Sequence, residues 1–189
     1  MNVAFLFYKM GVTMEKQSKS KLDFYIVDKN YLSFLHDRDE EINGSSCVPK
    51  MNSTQKEMFS CGVLVNVSGV NYLAPISSCT IKNDNNILLY SKDNQVSSSI
   101  RFNYMIPLAQ GTYKKCEFEQ DSDSKYLGVV KQEWLSANQQ ADRIIKLAKS
   151  TYCEVCSFIE KGGRPKWACN FICLEQLSKE WDSKMHSQS

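Results

Sequence analysis

Histidine is nearly missing from this chain: two in 189 residues, His36 and His186. Chemistry that depends on a histidine pair therefore has little to build on. His186 lies in the polar tail MHSQS, where a solvated side chain is expected. His36 falls near the end of a short helix, where a surface or capping role is expected. There is no Gly-rich phosphate loop, no His-Glu metal helix and no Gly-x-Ser-x-Gly elbow. Long apolar runs are lacking too, since none approaches the ~20 residues that a membrane helix needs. The apolar patch Ala4 to Tyr8 is short and follows no positive segment, unlike a secretory leader. A cytoplasmic chain without membrane contact is expected, its eight cysteines reduced. Charge of one sign is also lacking, because 23 Lys and Arg meet 21 Asp and Glu for a net +2. That balance permits a nucleic-acid partner without arguing for one, so any such partner must be met by a local basic face.

What is present reads as a single α+β domain over 21–182, with 1–20 as an appendage and 183–189 as a tail. LDFYIV (22–27) is a strand, rich in β-branched and aromatic residues. Asp28 is placed to cap a helix over KNYLSFLHDRD. Residues 40–57 carry Asn-Gly, Ser-Ser and a proline and read as a loop. CGVLVNVSGVNYLAPI (61–76) reads as a hairpin turning at Ser68-Gly69 and stopped at Pro75. ILLYS (87–91) and SIRFNYMIPL (99–108) add strands, and GTYKKCEFEQDSDS is a polar connection. Short strands at close spacing predict a compact, strongly bent antiparallel sheet or β-barrel core, with helices added mostly at the C-terminal end. Over 125–160 the text is helical. Ile144, Ala148, Tyr152, Val155 and Ile159 form one apolar stripe that ends at GGRP. Asn170 is placed to cap a last helix, FICLEQLSKEW.

Two sets of residues could carry chemistry. Cys153 and Cys156, then Cys169 and Cys173, have the order of a four-thiolate zinc site. The first pair sits within an amphipathic helix with no glycine knuckle, so packing is the expected role and no metal is assigned. The second set lies in NYLAPISSCTIK (71–82). Ser77 and Ser78 can be a strand end capping a turn. They can also be the short donors of a phosphate site, joined by Tyr31, Thr80, Lys82 and either Lys50 or Lys56. RNA cleavage needs the 2′-hydroxyl deprotonated, the 5′-oxygen protonated and the added negative charge met by donors. Lysine, serine, threonine and tyrosine can supply parts of this, and spacing alone leaves both readings open.

The blocks FYIVDKNYLSFL, YLAPISS, FNYMIPL, WLSAN and CNFICLEQL appear in the order of the ToxN/AbiQ family, and the resemblance covers about residues 22–181. The family comprises endoribonuclease toxins of type III toxin–antitoxin systems, active in abortive infection against phage. The resemblance implies a Kid/MazF-like barrel core and cleavage of cellular and phage RNA without metal or other cofactor, leaving a 2′,3′-cyclic phosphate. It implies as partner a repeat-derived antitoxin RNA folded as a pseudoknot, which the toxin processes and which inhibits it in a closed RNA–protein assembly. The key serine carries over to Ser78, with Ser77 before it, and the first-helix tyrosine to Tyr31. A basic residue is expected two positions after the serine, where this chain has Thr80, and Lys82 lies two further on. The lysine ahead of the hairpin is assigned to Lys56 over Lys50. Lys29, Lys56, Lys82, Arg101, Lys114 and Lys115 are candidates to line an RNA groove. The alternative on the same scaffold is an RNA-binding protein that does not cut, or a toxin of a gyrase-type protein target.

Overall fold

A computed structural model describes residues 21–50, 61–117 and 125–186. β1 (Phe24–Val27) is the expected first strand. The Asp28 carboxylate then accepts the N–H groups of Asn30 and Tyr31 at 2.8 and 3.0 Å, starting α1 (Lys29–Asn43). The helix outlasts its predicted end by one turn, through Glu40–Asn43. Gly44 caps it, its N–H donating to the Glu40 carbonyl at 2.8 Å.

The hairpin forms as expected from β2 (Cys61–Val67) and β3 (Val70–Ser77). Ser68 and Gly69 both take positive φ (52° and 86°), the combination that matches a two-residue turn to the twist of its strands. β4 (Asn86–Tyr90), β5 (Val96–Arg101), β6 (Ile106–Pro107) and β7 (Tyr113–Lys115) complete the sheet. The predicted strand 99–108 is cut by a 3-10 turn at Phe102–Tyr104. That turn buries both Phe102 and Met105, which strand alternation would send to opposite faces. β7 falls in the stretch read as a polar connection, because pairing to β1 outweighs the weak strand preference of its lysines.

Pro75 does not stop β3. It pairs with Gly62, and the strand runs on to Ser77. On its other edge β3 pairs first with β6, through Tyr72 and Leu73, then with β5, through Ile76 and Ser77. Pro75 falls between these two pairings, where a missing N–H breaks no ladder bond on that edge.

The expected barrel is not closed. The antiparallel sheet has the order β4-β5-β3-β2-β1-β7, with β6 beside β3, and among the described residues β4 and β7 do not pair. Each edge is managed separately. The free side of β4 is met by α2 (Lys125–Gln139). Ser136 Oγ accepts the Tyr90 N–H at 3.0 Å, and Gln140, just past the helix, donates to the Leu88 carbonyl at 3.0 Å. β7 is short and carries Lys114 and Lys115.

The stretch 125–160 is two helices, since the chain breaks at Gln140 before α3 (Ala141–Glu160). In the predicted stripe of α3, Ile144, Ala148 and Val155 are fully buried, while Tyr152 and Ile159 pack at its margin. α4 (Phe171–His186) outlasts its predicted end at Trp181, and Asn170 caps it by accepting the Cys173 N–H at 3.1 Å. α3 packs on β2, and α4 packs on β6 and α1, so the core lies between sheet and helices.

Candidate active site and basic cleft

The hydroxyl-rich segment leaves the sheet at one end of β3. Ser77 is its last strand residue and pairs with Ser99 of β5. Ser78 and Thr80 are exposed in the turn that follows. Cys79 is held between them: its N–H donates to Ser77 Oγ at 3.3 Å, and its carbonyl accepts the Ser99 hydroxyl at 2.6 Å. Ser78 is thus presented to solvent by a turn whose neighbouring backbone groups are bonded.

Lys82 lies on the same connection, but its ammonium is turned into it. Nζ donates to the carbonyl of Asn83, to the carbonyl of Asn86 at 2.9 Å and to Asn86 Oδ1 at 3.2 Å. Those bonds use the three protons an ammonium has. Lys56, the other candidate lysine, lies outside the described residues.

Tyr31 is placed elsewhere. It is fully buried, and its hydroxyl donates to the Pro107 carbonyl at 2.8 Å. Its ring stands edge-on to Trp181, with centroids 5.4 Å apart. Burial pushes its phenol pKa well above the ordinary value. Pro107 pairs with Tyr72, and Ser77 lies five residues further along β3, roughly 16 Å at ~3.3 Å per residue. Ser77, Ser78, Thr80 and Lys82 therefore share one connection, with the Lys82 ammonium bonded to Asn83 and Asn86, and Tyr31 stands apart from them.

The cationic candidates also divide. Lys29 and Lys114 line one cleft of about 380 Å³, with Asn30, Thr112 and Tyr113. Beside it the Asp28 N–H donates to the Thr112 carbonyl at 2.7 Å, which ties the start of α1 to the approach of β7. Lys115, its neighbour, pairs instead with Asp23 at 2.7 Å, and that bond raises the lysine pKa. Arg101 rests its guanidinium 4.8 Å from the centroid of the Tyr104 ring.

His36 departs from expectation. It is buried, and Nδ1 donates to the Val48 carbonyl at 2.7 Å, tying down the chain after α1. The two cysteine pairs have different surroundings. Cys156 lies near Tyr152 and Glu175, whereas Cys173 accepts from Asn43 Nδ2 at 3.4 Å and Cys169 lies near Cys47 and Asp39. Among the described residues no three His, Cys, Asp or Glu side chains are grouped to hold a metal ion.

Sequence reasoning missed Ser99 and Asn86. Both are fully buried, and both bond the connection that bears Ser78. Their signal was faint: a Ser-Ser-Ser run in a strand and one asparagine among several in a loop.

An open antiparallel sheet with an exposed, hydroxyl-bearing turn at the end of β3, and a cleft lined by Asp28, Lys29 and Lys114, define a small α+β protein. Residues 23–179 match the family described as "Toxin ToxN, type III toxin-antitoxin system", and the chain belongs to that family. Endoribonuclease ToxN of Bacillus thuringiensis subsp. kurstaki is 22% identical over 176 residues, covering 88% of each chain. Among solved structures, a toxin studied for its selective inhibition by a non-coding RNA pseudoknot superposes with a TM-score of 0.65 at 19% identity, over 86% of this chain and 98% of that one. AbiQ, a lactococcal anti-phage endoribonuclease, superposes with a TM-score of 0.63 at 13% identity, over 87% and 99%. At these identities the superpositions establish the fold.

Proposed function

We propose that this chain is an endoribonuclease toxin of a type III toxin–antitoxin system, acting in the cytoplasm against cellular and phage RNA, with Ser78 at the cleavage site. The observation that carries the reading is Ser78 itself, exposed on a bonded turn within the family-matched span. In the reaction the 2′-oxygen attacks the adjacent phosphorus and loses its proton. The bond to the 5′-oxygen breaks, that oxygen gains a proton, and a 2′,3′-cyclic phosphate remains. The Ser78 hydroxyl donates to a non-bridging oxygen, where negative charge builds up, and Ser77 and Thr80 flank it. No metal is required by this scheme. Lys82 is engaged within its own loop, so Lys56 is the preferred source of the offsetting positive charge. Tyr31 supports the site from a distance by anchoring α1 to β6.

The partner is a repeat-derived antitoxin RNA pseudoknot, processed by the toxin and bound in a closed assembly. Lys29 and Lys114 in their shared cleft, together with Arg101 and Lys115, are its phosphate contacts, and Tyr113 offers a face for an unstacked base. The functional unit is 21–182, with the last helix running on to His186. Its bent sheet is an open relative of the Kid/MazF core.

A non-cleaving RNA binder is the second reading, favoured by the occupied ammonium of Lys82. End-mapping of total RNA from cells expressing wild type, Ser78→Ala and Lys56→Ala separates the two. Discrete new 5′-hydroxyl ends are expected with wild type and not with Ser78→Ala, and purified wild type should cut in the presence of a chelator. Identical RNA profiles from wild type and Ser78→Ala would overturn the proposal.

A further inference from the structure

Two fully buried polar side chains bond the exposed connection that bears Ser78. Ser99 sits inside β5 and donates its hydroxyl to the Cys79 carbonyl at 2.6 Å, next to Ser78. Asn86 opens β4. Its Nδ2 donates to the Ile81 carbonyl at 2.8 Å, and its Oδ1 accepts the Asn83 N–H at 3.0 Å and Lys82 Nζ at 3.2 Å. Burying a hydroxyl and an amide costs free energy unless each is bonded, and both bond here to a solvent-facing turn. A surface connection needs no such anchoring to remain a connection, since turn residues and water satisfy it more cheaply. The bonds do fix where Cys79 and Ile81 lie, and hence where the hydroxyl between Ser77 and Cys79 points.

We infer that Ser99 and Asn86 are positioning residues that hold the Ser78 turn in its reactive geometry, and that Lys82 is the tether closing this clamp and not a ligand of the RNA phosphate. The inference rests on the reading of Ser78 given above. Ser99 reaches the Ser78 side of the turn, while Asn86 and Lys82 close the far side, so the connection is bonded at both ends.

The test is kinetic, on a short synthetic RNA carrying the site that wild type cuts most strongly in total bacterial RNA. Ser99→Thr and Ser99→Val differ by a hydroxyl against a methyl, so packing strain is common to both. Ser99→Thr should keep kcat near wild type. Ser99→Val should lose about 10- to 100-fold in kcat with KM little changed, since a small misplacement of a reacting group costs on that order. Equal kcat in the two variants at equal melting temperature would overturn the inference. If Ser99→Val does not fold, Asn86→Asp takes its place. It keeps the acceptor for Asn83 and Lys82 and removes the donor to Ile81, and an unchanged kcat would be equally fatal. Lys82→Gln should lower kcat while leaving the salt dependence of RNA binding unchanged. A slope smaller by about 0.7 would make Lys82 a phosphate contact and remove it from the clamp. An inactive Ser78→Ala beside an unimpaired Ser99→Val defeats this inference alone, whereas a fully active Ser78→Ala defeats the Ser78 reading as well.

Discussion

The two ends of β3 are built differently. At the Tyr72 end the strand is paired on both edges, by β2 and β6. Tyr72 is fully buried, edge-on to Tyr152 and Phe171, and its hydroxyl donates to Glu175 at 2.6 Å. At the Ser77 end aromatic packing gives way to hydroxyls. Ser77 faces Ser99, and the next residues turn out to solvent. One end is held by buried area and the other by a few directional bonds. Packing contributes stability over a broad surface but sets no single atom's direction, whereas a hydrogen bond contributes little net energy and sets direction closely.

The sharpest way to break this contrast is to attack the packed end. Tyr72→Ala should cost about 3–5 kcal/mol of stability, as truncation of large buried aromatics does. Chemical denaturation would read it, and activity would fall with the folded fraction. Gly62→Ala strikes between the ends. A Cβ there would collide with the Ala74 carbonyl oxygen, on the backbone opposite, so β3 must shift beside Pro75. A loss of about 1–3 kcal/mol is expected, with both ends of the strand disturbed.

The packed end also carries a pH signature. Burial raises the phenol pKa values of Tyr31 and Tyr72, and the neighbouring Glu175 raises that of Tyr72 further. The neutral phenols therefore contribute fully below the unfolded pKa near ~10. Above it the unfolded chain ionises first, and stability falls by up to ~1.4 kcal/mol per pH unit for each tyrosine. Tyr31→Phe should flatten that slope between about pH 10 and 12, and an unchanged slope would place the alkaline loss elsewhere. Ser78→Ala, at the other end, should move stability by less than about 0.5 kcal/mol while abolishing cleavage. A large loss of stability from it would erase the division of labour.

Much of this could be read along the chain. The Asp28 cap, the Ser68-Gly69 turn, the Asn170 cap and the stripe of α3 are local devices, written within a few residues of where they act. The serines were legible as candidates for the same reason, since a hydroxyl pair after Ala-Pro is a local pattern. Tyr31 was legible as a helix tyrosine but not as a buried anchor, because burial is decided by Pro107 and Trp181, far away in the chain. Pro75 reads as a stop along the chain because its missing N–H forbids a ladder bond, and no local pattern shows that β3 changes partners beside it. His36 looked like a surface residue because the carbonyl it bonds, that of Val48, belongs to the chain beyond the helix.

The sequence by itself determined the first strand and helix, the β2–β3 hairpin, the caps at Asp28 and Asn170 and the hydroxyls of NYLAPISSCTIK, all of which depend on neighbours within a few residues, whereas β7 took its pairing with β1 to form. Only the tertiary structure decided that the sheet stays open, that the Lys82 ammonium bonds its own connection, and that Ser99 and Asn86 bond the connection bearing Ser78. These depend on contacts between β3, β4, β5 and α2, whose partners no local pattern specifies, and on which buried donors have acceptors left to find.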